Sequence, residues 1–139
     1  MAISRILVPT DGSVFSRRAG KLAIEIAKAT KAVVIAVHVI PIMQPNLLEA
    51  ANIEKVKAKQ AQACFSDLEE DARSAGVMFE QKMLISRSIA ETIAAEVEVL
   101  KPDIIVMGSH GLTGLKKILL GSVTTDVLKK STKPVLVVK

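Results

Sequence analysis

A chain of 139 residues is long enough to bury a core without disulfides or metals to staple it. Half of it is apolar, with three Phe and no Trp or Tyr, which suits a buried parallel sheet and argues against the aromatic stacking platforms of single-stranded nucleic-acid binders. The net charge of +5 lies wholly in residues 101–139, where Lys101, Lys116, Lys117, Lys129, Lys130, Lys133 and Lys139 face only Asp103 and Asp126; such an excess beside one loop fits a small polyphosphate better than a duplex, a solvated lysine face being the competing reading.

In chain order, Ile3 to Val8 is a β-branched and apolar run that stops near Pro9, in the turn cluster Pro9-Thr-Asp-Gly-Ser13. From Ser16 to about Thr30, the apolar positions Ala19, Leu22, Ala23, Ile26 and Ala27 fall on one helical face. Ala32 to Ile40 is continuously apolar apart from His38 and reads as a central strand buried on both faces, with His38 a hydrogen-bonded core histidine. A loop, Pro41 to Pro45, leads into the longest helix, which carries Ala61, Cys64, Phe65, Leu68 and Ala72 on its apolar positions and ends near Gly76. Val77 to Ile85 is a more polar strand, which suggests the sheet edge. Ser88-Ile-Ala-Glu91 is a capping box opening a helix with Ile89, Ile93, Val97 and Leu100 on one face and Pro102 beyond its end. Asp103 to Met107, Ser122 to Lys130 and Pro134 to Val138 complete the pattern as strand, helix and strand.

This alternation predicts one α/β domain over residues 1–139: a Rossmann-like, doubly wound parallel sheet of five strands in the order 3-2-1-4-5, with helices on both faces. In such sheets a ligand binds beyond the carboxyl ends of the strands where the winding reverses, between the first and fourth strands. The loops that meet there are Pro9 to Ser13 and Gly108 to Gly121. The longest apolar run, Ala32 to Ile42, falls short of the roughly 20 residues of a membrane span, and no secretory signal pattern is present, so a cytoplasmic protein with no membrane partner is expected. Cys64 is the sole cysteine and reads as a packed thiol on a helix rather than a nucleophile.

The second of these loops carries glycines at 108, 111, 114 and 121. Phosphate binding needs backbone N–H groups that converge on an anion, and glycine permits the conformations and the close approach this requires. Gly121-Ser122 opens a helix whose first amides and positive dipole end can face a phosphate, with the Ser122 and Thr124 hydroxyls as further donors. Plain turn chemistry explains the glycines equally well when they are taken alone. No Gly-Lys-Ser/Thr triplet and no G-x-G-x-x-G spacing occurs, which removes the main support for motor-type ATPases and nicotinamide dehydrogenases.

Gly108, Gly111, Gly121 and Ser122 fill the pattern G-x2-G-x9-G-S/T, the nucleotide loop of the universal stress protein family, and the sequence resembles an ATP-binding member of it. The resemblance runs from Val8-Pro-Thr-Asp-Gly-Ser13 through His38-Val39 and the loop to Lys133-Pro-Val-Leu-Val-Val138. It implies that Pro9, Thr10 and Asp11 line the nucleoside side of a pocket and that Val39 contacts adenine. It further implies that Met107, Gly108, Ser109, His110, Gly111, Gly121, Ser122, Val123 and Thr124 form the end of the fourth strand and the phosphate cradle. Asp11 is placed to accept from a ribose hydroxyl or to help hold Mg²⁺ or Mn²⁺ on the phosphates, or to cap the first helix. His110, with no Cys or second His nearby, suits a phosphate hydrogen bond better than metal ligation. Lys116 and Lys117 either screen phosphate charge or sit on a solvated surface.

Three functions follow. The first is a regulator or switch in a stress response that binds ATP, ADP or AMP, at most a slow ATPase, with an unidentified protein partner. The second is an enzyme of the adenine nucleotide α-hydrolase type, against which Pro9-Thr-Asp-Gly-Ser13 counts, since those enzymes usually carry Ser-Gly-Gly-x-Asp-Ser there. The third is a ligand-free interaction module. The apolar strand Pro134 to Val138 at the sheet edge is expected to pair with its copy in a homodimer, as the family usually does.

Overall fold

The computed structural model describes residues 2–42, 47–111 and 120–139. The elements are β1 (Arg5–Pro9), α1 (Val14–Thr30), β2 (Val33–Pro41), α2 (Leu47–Ala75), β3 (Met78–Ser86), α3 (Ile89–Leu100), β4 (Ile104–Gly108), α4 (Ser122–Lys130) and β5 (Val135–Val138). All strands are parallel in the order β3-β2-β1-β4-β5, as expected, and β1 lies central with Leu7 level with Ile35 on one side and Ile105 on the other. Alternate residues of the strands supply two cores. Ile6, Val8, Val34, Ala36 and Val106 pack under α1 and α2, while Leu7, Ile35, Val37, Ile105 and Met107 pack under α3 and α4.

Helix ends depart from expectation where side chains intervene. α1 starts at Val14 because Ser13 is its N-cap and the Ser13 Oγ accepts the Ser16 N–H at 3.2 Å. Asp11 therefore is not the cap; its Oδ1 accepts the Ser13 N–H at 2.9 Å and shapes the turn ahead of the helix. The buried stripe of α1 is Ala19, Gly20, Ala23, Ile24 and Ala27, with Leu22 and Ile26 only flanking it. At α3, Ser88 Oγ accepts the Glu91 N–H, while Ser86 Oγ accepts the Ser88 N–H that a full capping box would give to Glu91. β3 lies at the sheet edge with Met78, Met83 and Ile85 exposed, and its Lys82 reaches Glu96 of α3 at 2.8 Å.

The topology also separates the lysines that the sequence groups together. In a parallel sheet the α-to-β connections lie at the amino ends of the strands, so Lys101, Lys129, Lys130 and Lys133, all exposed, stand at the end opposite the β4–α4 loop. Lys129 and Lys130 occupy the last turn of α4, where the helix dipole favours cations. These four lysines therefore stand apart from the loop, as the solvated-face reading has it, while Lys139 follows the carboxyl end of β5 at the loop's end of the sheet. Lys116, Lys117 and Gly114 lie outside the described residues.

Candidate functional site

β1 and β4 are neighbours, and the chain leaves them toward opposite faces of the sheet, which opens a crevice at their carboxyl ends. On the β1 side Thr10 is almost fully buried and held at three points. Its N–H donates to the Val37 carbonyl at 2.8 Å, its Oγ1 donates to Ser16 Oγ at 3.2 Å, and its carbonyl lies 2.7 Å from His38 Nδ1. Asp11 follows, half-buried, beside the start of the glycine-rich loop. A Cβ placed on Gly111 would come within 2.6 Å of Asp11 Oδ2, so the chain passes close to that carboxylate, which a side chain at 111 would displace.

The β4 side is tied down as firmly. Gly108 lies so close to the first turn of α1 that a Cβ there would sit 2.7 Å from the backbone carbon of Phe15. Ser109 is buried; its N–H donates to the Val138 carbonyl at 2.8 Å and its carbonyl accepts the Gly121 N–H at 2.7 Å. Ser109 Oγ lies 3.0 Å from His110 Nδ1, and the His110 ring leans on Phe15 with centroids 5.2 Å apart. Thr124 Oγ1 donates to the Gly108 carbonyl at 2.8 Å. The two ends of the loop are thus clamped together although 112–119 separates them.

These clamps place the N-terminus of α4 in the crevice. Gly121 is its N-cap and makes no side-chain hydrogen bond, whereas the N-caps of α1 and α3 are serines that do. The leading amides of Ser122, Val123 and Thr124 have no partner within the helix and stand at its positive dipole end. Such a terminus attracts an anion. The Thr124 hydroxyl, expected as a ligand donor, is instead buried and committed to the Gly108 carbonyl; its single proton serves the loop clamp. Ser122 is exposed.

The structure therefore brings together Pro9, Thr10, Asp11, Gly108, Ser109, His110, Gly111, Gly121, Ser122, Val123 and Thr124. Val39 and Met107 are core residues on the face covered by α3 and α4, with Val123 packed against the same cluster, so they offer apolar surface rather than polar groups. Among the described residues no cluster of three or more His, Cys, Asp and Glu that could hold a metal ion is found. Asp11 alone is the kind of single carboxylate that suits a Mg²⁺ keeping most of its shell as water and ligand phosphate. Burial and the nearby Asp11 carboxylate push the Cys64 thiol up, in keeping with a packing role. Sequence reasoning missed Ser13, Phe15 and Ser16, which shape the turn and the loop; Ser13 carried a visible signal, being an N-cap residue ahead of an apolar stripe.

The model of the universal stress protein family matches residues 2–139. Universal stress protein MJ0577 of Methanocaldococcus jannaschii is 39% identical over 156 residues, covering 97% of this chain and 94% of its own. Its solved structure aligns with a TM-score of 0.86 and 35% identity over 100% of this chain and 97% of that one. A universal stress protein solved in complex with cAMP aligns at TM-score 0.77 and 26% identity, over 100% of this chain and 99% of that one. One from Archaeoglobus fulgidus in complex with dAMP aligns at 0.75 and 25%, over all of both chains. The chain belongs to the universal stress protein family.

Proposed function

We propose that residues 1–139 form a single nucleotide-binding domain that holds ATP, or ADP or AMP, in the β1–β4 crevice and acts as a nucleotide-dependent regulator in a stress response. The observation that carries this reading is the N-terminus of α4, whose N-cap Gly121 has no side chain to cap it, clamped by the Gly121–Ser109 and Thr124–Gly108 hydrogen bonds beside Asp11. Solved relatives in complex with cAMP and dAMP support an adenine nucleotide as the ligand class.

In this reading the arm from Gly108, itself packed against Phe15, to Gly111 and the amides of Gly121 to Thr124 hold the phosphates, and His110, oriented by Ser109 and Phe15, donates a hydrogen bond to them. Pro9, Thr10 and Asp11 border the nucleoside, and Val39 and Met107 give the adenine its apolar wall. Mg²⁺ or Mn²⁺, when bound with the phosphates, neutralises their charge; Asp11 is the residue placed to hold it. Turnover is slow or depends on a partner protein. The half-exposed edge strand β5 pairs with its copy in a homodimer. No helix among the described residues is long and apolar enough to cross a membrane, and a cytoplasmic location fits this role.

Native mass spectrometry of the purified protein, followed by calorimetric titration with Mg·ATP, tests the reading. Co-purified adenine nucleotide, or saturable binding of up to one ATP per subunit, is the expected result. Neither bound nucleotide nor saturable binding would overturn it and favour the dimeric interaction module.

A further inference from the structure

His38 occupies the carboxyl end of β2, half-buried, on the side of β1 away from the glycine-rich loop. Its Nδ1 lies 2.7 Å from the Thr10 carbonyl oxygen. A carbonyl only accepts, so Nδ1 carries the hydrogen that makes this bond, in the neutral or the charged ring alike. The ring is steadied by Phe65 of α2, which meets it edge to face with centroids 6.5 Å apart and planes at 87°. Thr10 N–H already donates to the Val37 carbonyl. The imidazole thus extends the β1–β2 ladder by one bond, past the point where the β1 backbone turns away.

That bond acts on the next residue. The Thr10 carbonyl and the Asp11 N–H belong to one peptide group, which is planar, and the chain contains no cis peptide among its described residues. In a trans peptide the two groups point in opposite directions. Holding the Thr10 carbonyl toward β2 therefore directs the Asp11 amide to the β4 side, where Gly111 passes against the Asp11 carboxylate. We infer that His38 is a positioning residue of the nucleotide site, its Nδ1–H bond to the Thr10 carbonyl setting the orientation of the Thr10–Asp11 peptide and hence of Asp11 in the crevice. The inference rests on the nucleotide-binding reading and adds to it a residue that touches no ligand.

The test compares three variants, His38→Leu, His38→Gln and His38→Asn, by calorimetric titration with Mg·ATP and by thermal melting. Asparagine places an amide N–H near the Nδ1 position, glutamine carries it one bond further out, and leucine has none; all three lose the ring contact with Phe65 and so share its cost in melting temperature. His38→Leu should weaken ATP binding about five- to tenfold, the worth of one hydrogen bond, with His38→Asn within about threefold of wild type. Equal affinity of His38→Leu and wild type, or equal weakening of the Asn and Leu variants in step with melting temperature, would overturn the inference. Nitrogen-15 NMR of the wild-type imidazole needs no variant to fold: it should show Nδ1 as the hydrogen-bearing nitrogen, and a neutral ring with hydrogen on Nε2 alone would overturn the inference as well. Failure of the wild-type protein to bind ATP would instead sink the nucleotide reading itself.

Discussion

Gly108 and Gly121 belong to the same motif, yet the structure predicts opposite consequences for exchanging each with alanine. At Gly108 the new Cβ would lie 2.7 Å from both the backbone carbon and the Cβ of Phe15, and 3.0 Å from the Phe15 oxygen. Those atoms lie in the first turn of α1, which the Ser13 cap and the Thr10–Ser16 hydroxyl bond hold against the sheet. Relief requires moving backbone, and overpacking of this kind costs about 1–3 kcal/mol. At Gly121 the backbone (φ −69°, ψ 162°) is open to any residue, and the added Cβ meets His110 Cα at 3.3 Å and Ser109 O at 3.4 Å. The poorer N-cap costs on the order of 1 kcal/mol, the stiffer unfolded chain returns about 0.4–1 kcal/mol, and the tight contact asks the His110 backbone to give slightly, so the net loss of stability stays below that at Gly108. The methyl group would, however, stand 3.8 Å from the Gly111 nitrogen, between the two arms of the cradle. Losing two charge-assisted amide bonds to phosphate, each about 1.5 kcal/mol, weakens Mg·ATP by roughly 100-fold. Urea unfolding followed by circular dichroism and calorimetric titration separate the two effects. Equal unfolding free energies for the two variants, or wild-type ATP affinity for Gly121→Ala, would refute the assignment of a packing role to Gly108 and an anion-facing role to Gly121.

Two further outcomes follow from other parts of the molecule. Asp103 accepts the Ser4 and Arg5 N–H groups at 2.7 and 3.0 Å, and these bonds hold its carboxyl below the usual carboxylate range; the stability it contributes is present above that range and is lost as pH falls through the lowered value. Asp103→Asn should therefore lower stability at neutral pH and narrow its gap to wild type in acid; a gap constant from pH 7 to pH 2 would contradict this. At the sheet edge, the Pro134 and Val138 carbonyls accept from β4, so by alternation the N–H groups of Val135 and Val137 face outward. Light scattering at micromolar concentration should give a dimer mass for the wild type and a monomer mass for Val137→Pro, which removes one outward donor; a wild-type monomer excludes edge pairing.

Element order and topology were legible in the sequence because both rest on local signals. Apolar periodicity separates strand from helix, and alternating strands and helices with right-handed crossovers leave few arrangements. The same reading located the crevice, since the reversal of winding follows from strand order alone. The roles of individual residues were not legible in this way. Asp11 and Ser13 are both good caps by type, and the choice of Ser13 was made by the path the chain takes out of β1. The Thr124 hydroxyl, expected to face a ligand, gives its proton to a carbonyl 16 residues earlier in the chain. His38 looked like any satisfied core histidine until its acceptor proved to be Thr10, 28 residues away.

The lysines make the same point on a larger scale. Seven basic residues crowded into 39 positions look like one patch, but a parallel sheet sends four of them, at the ends of α3 and α4 and ahead of β5, to the pole opposite the β4–α4 loop. By itself the sequence determined which segments are strands and helices, their order in the sheet and which two loops meet where the winding reverses, because those follow from periodicity and chirality acting over short stretches. Only the tertiary structure decided which glycine packs against Phe15, which hydroxyl holds the loop and which side chain binds the Thr10 carbonyl, because these depend on contacts between residues far apart in the chain.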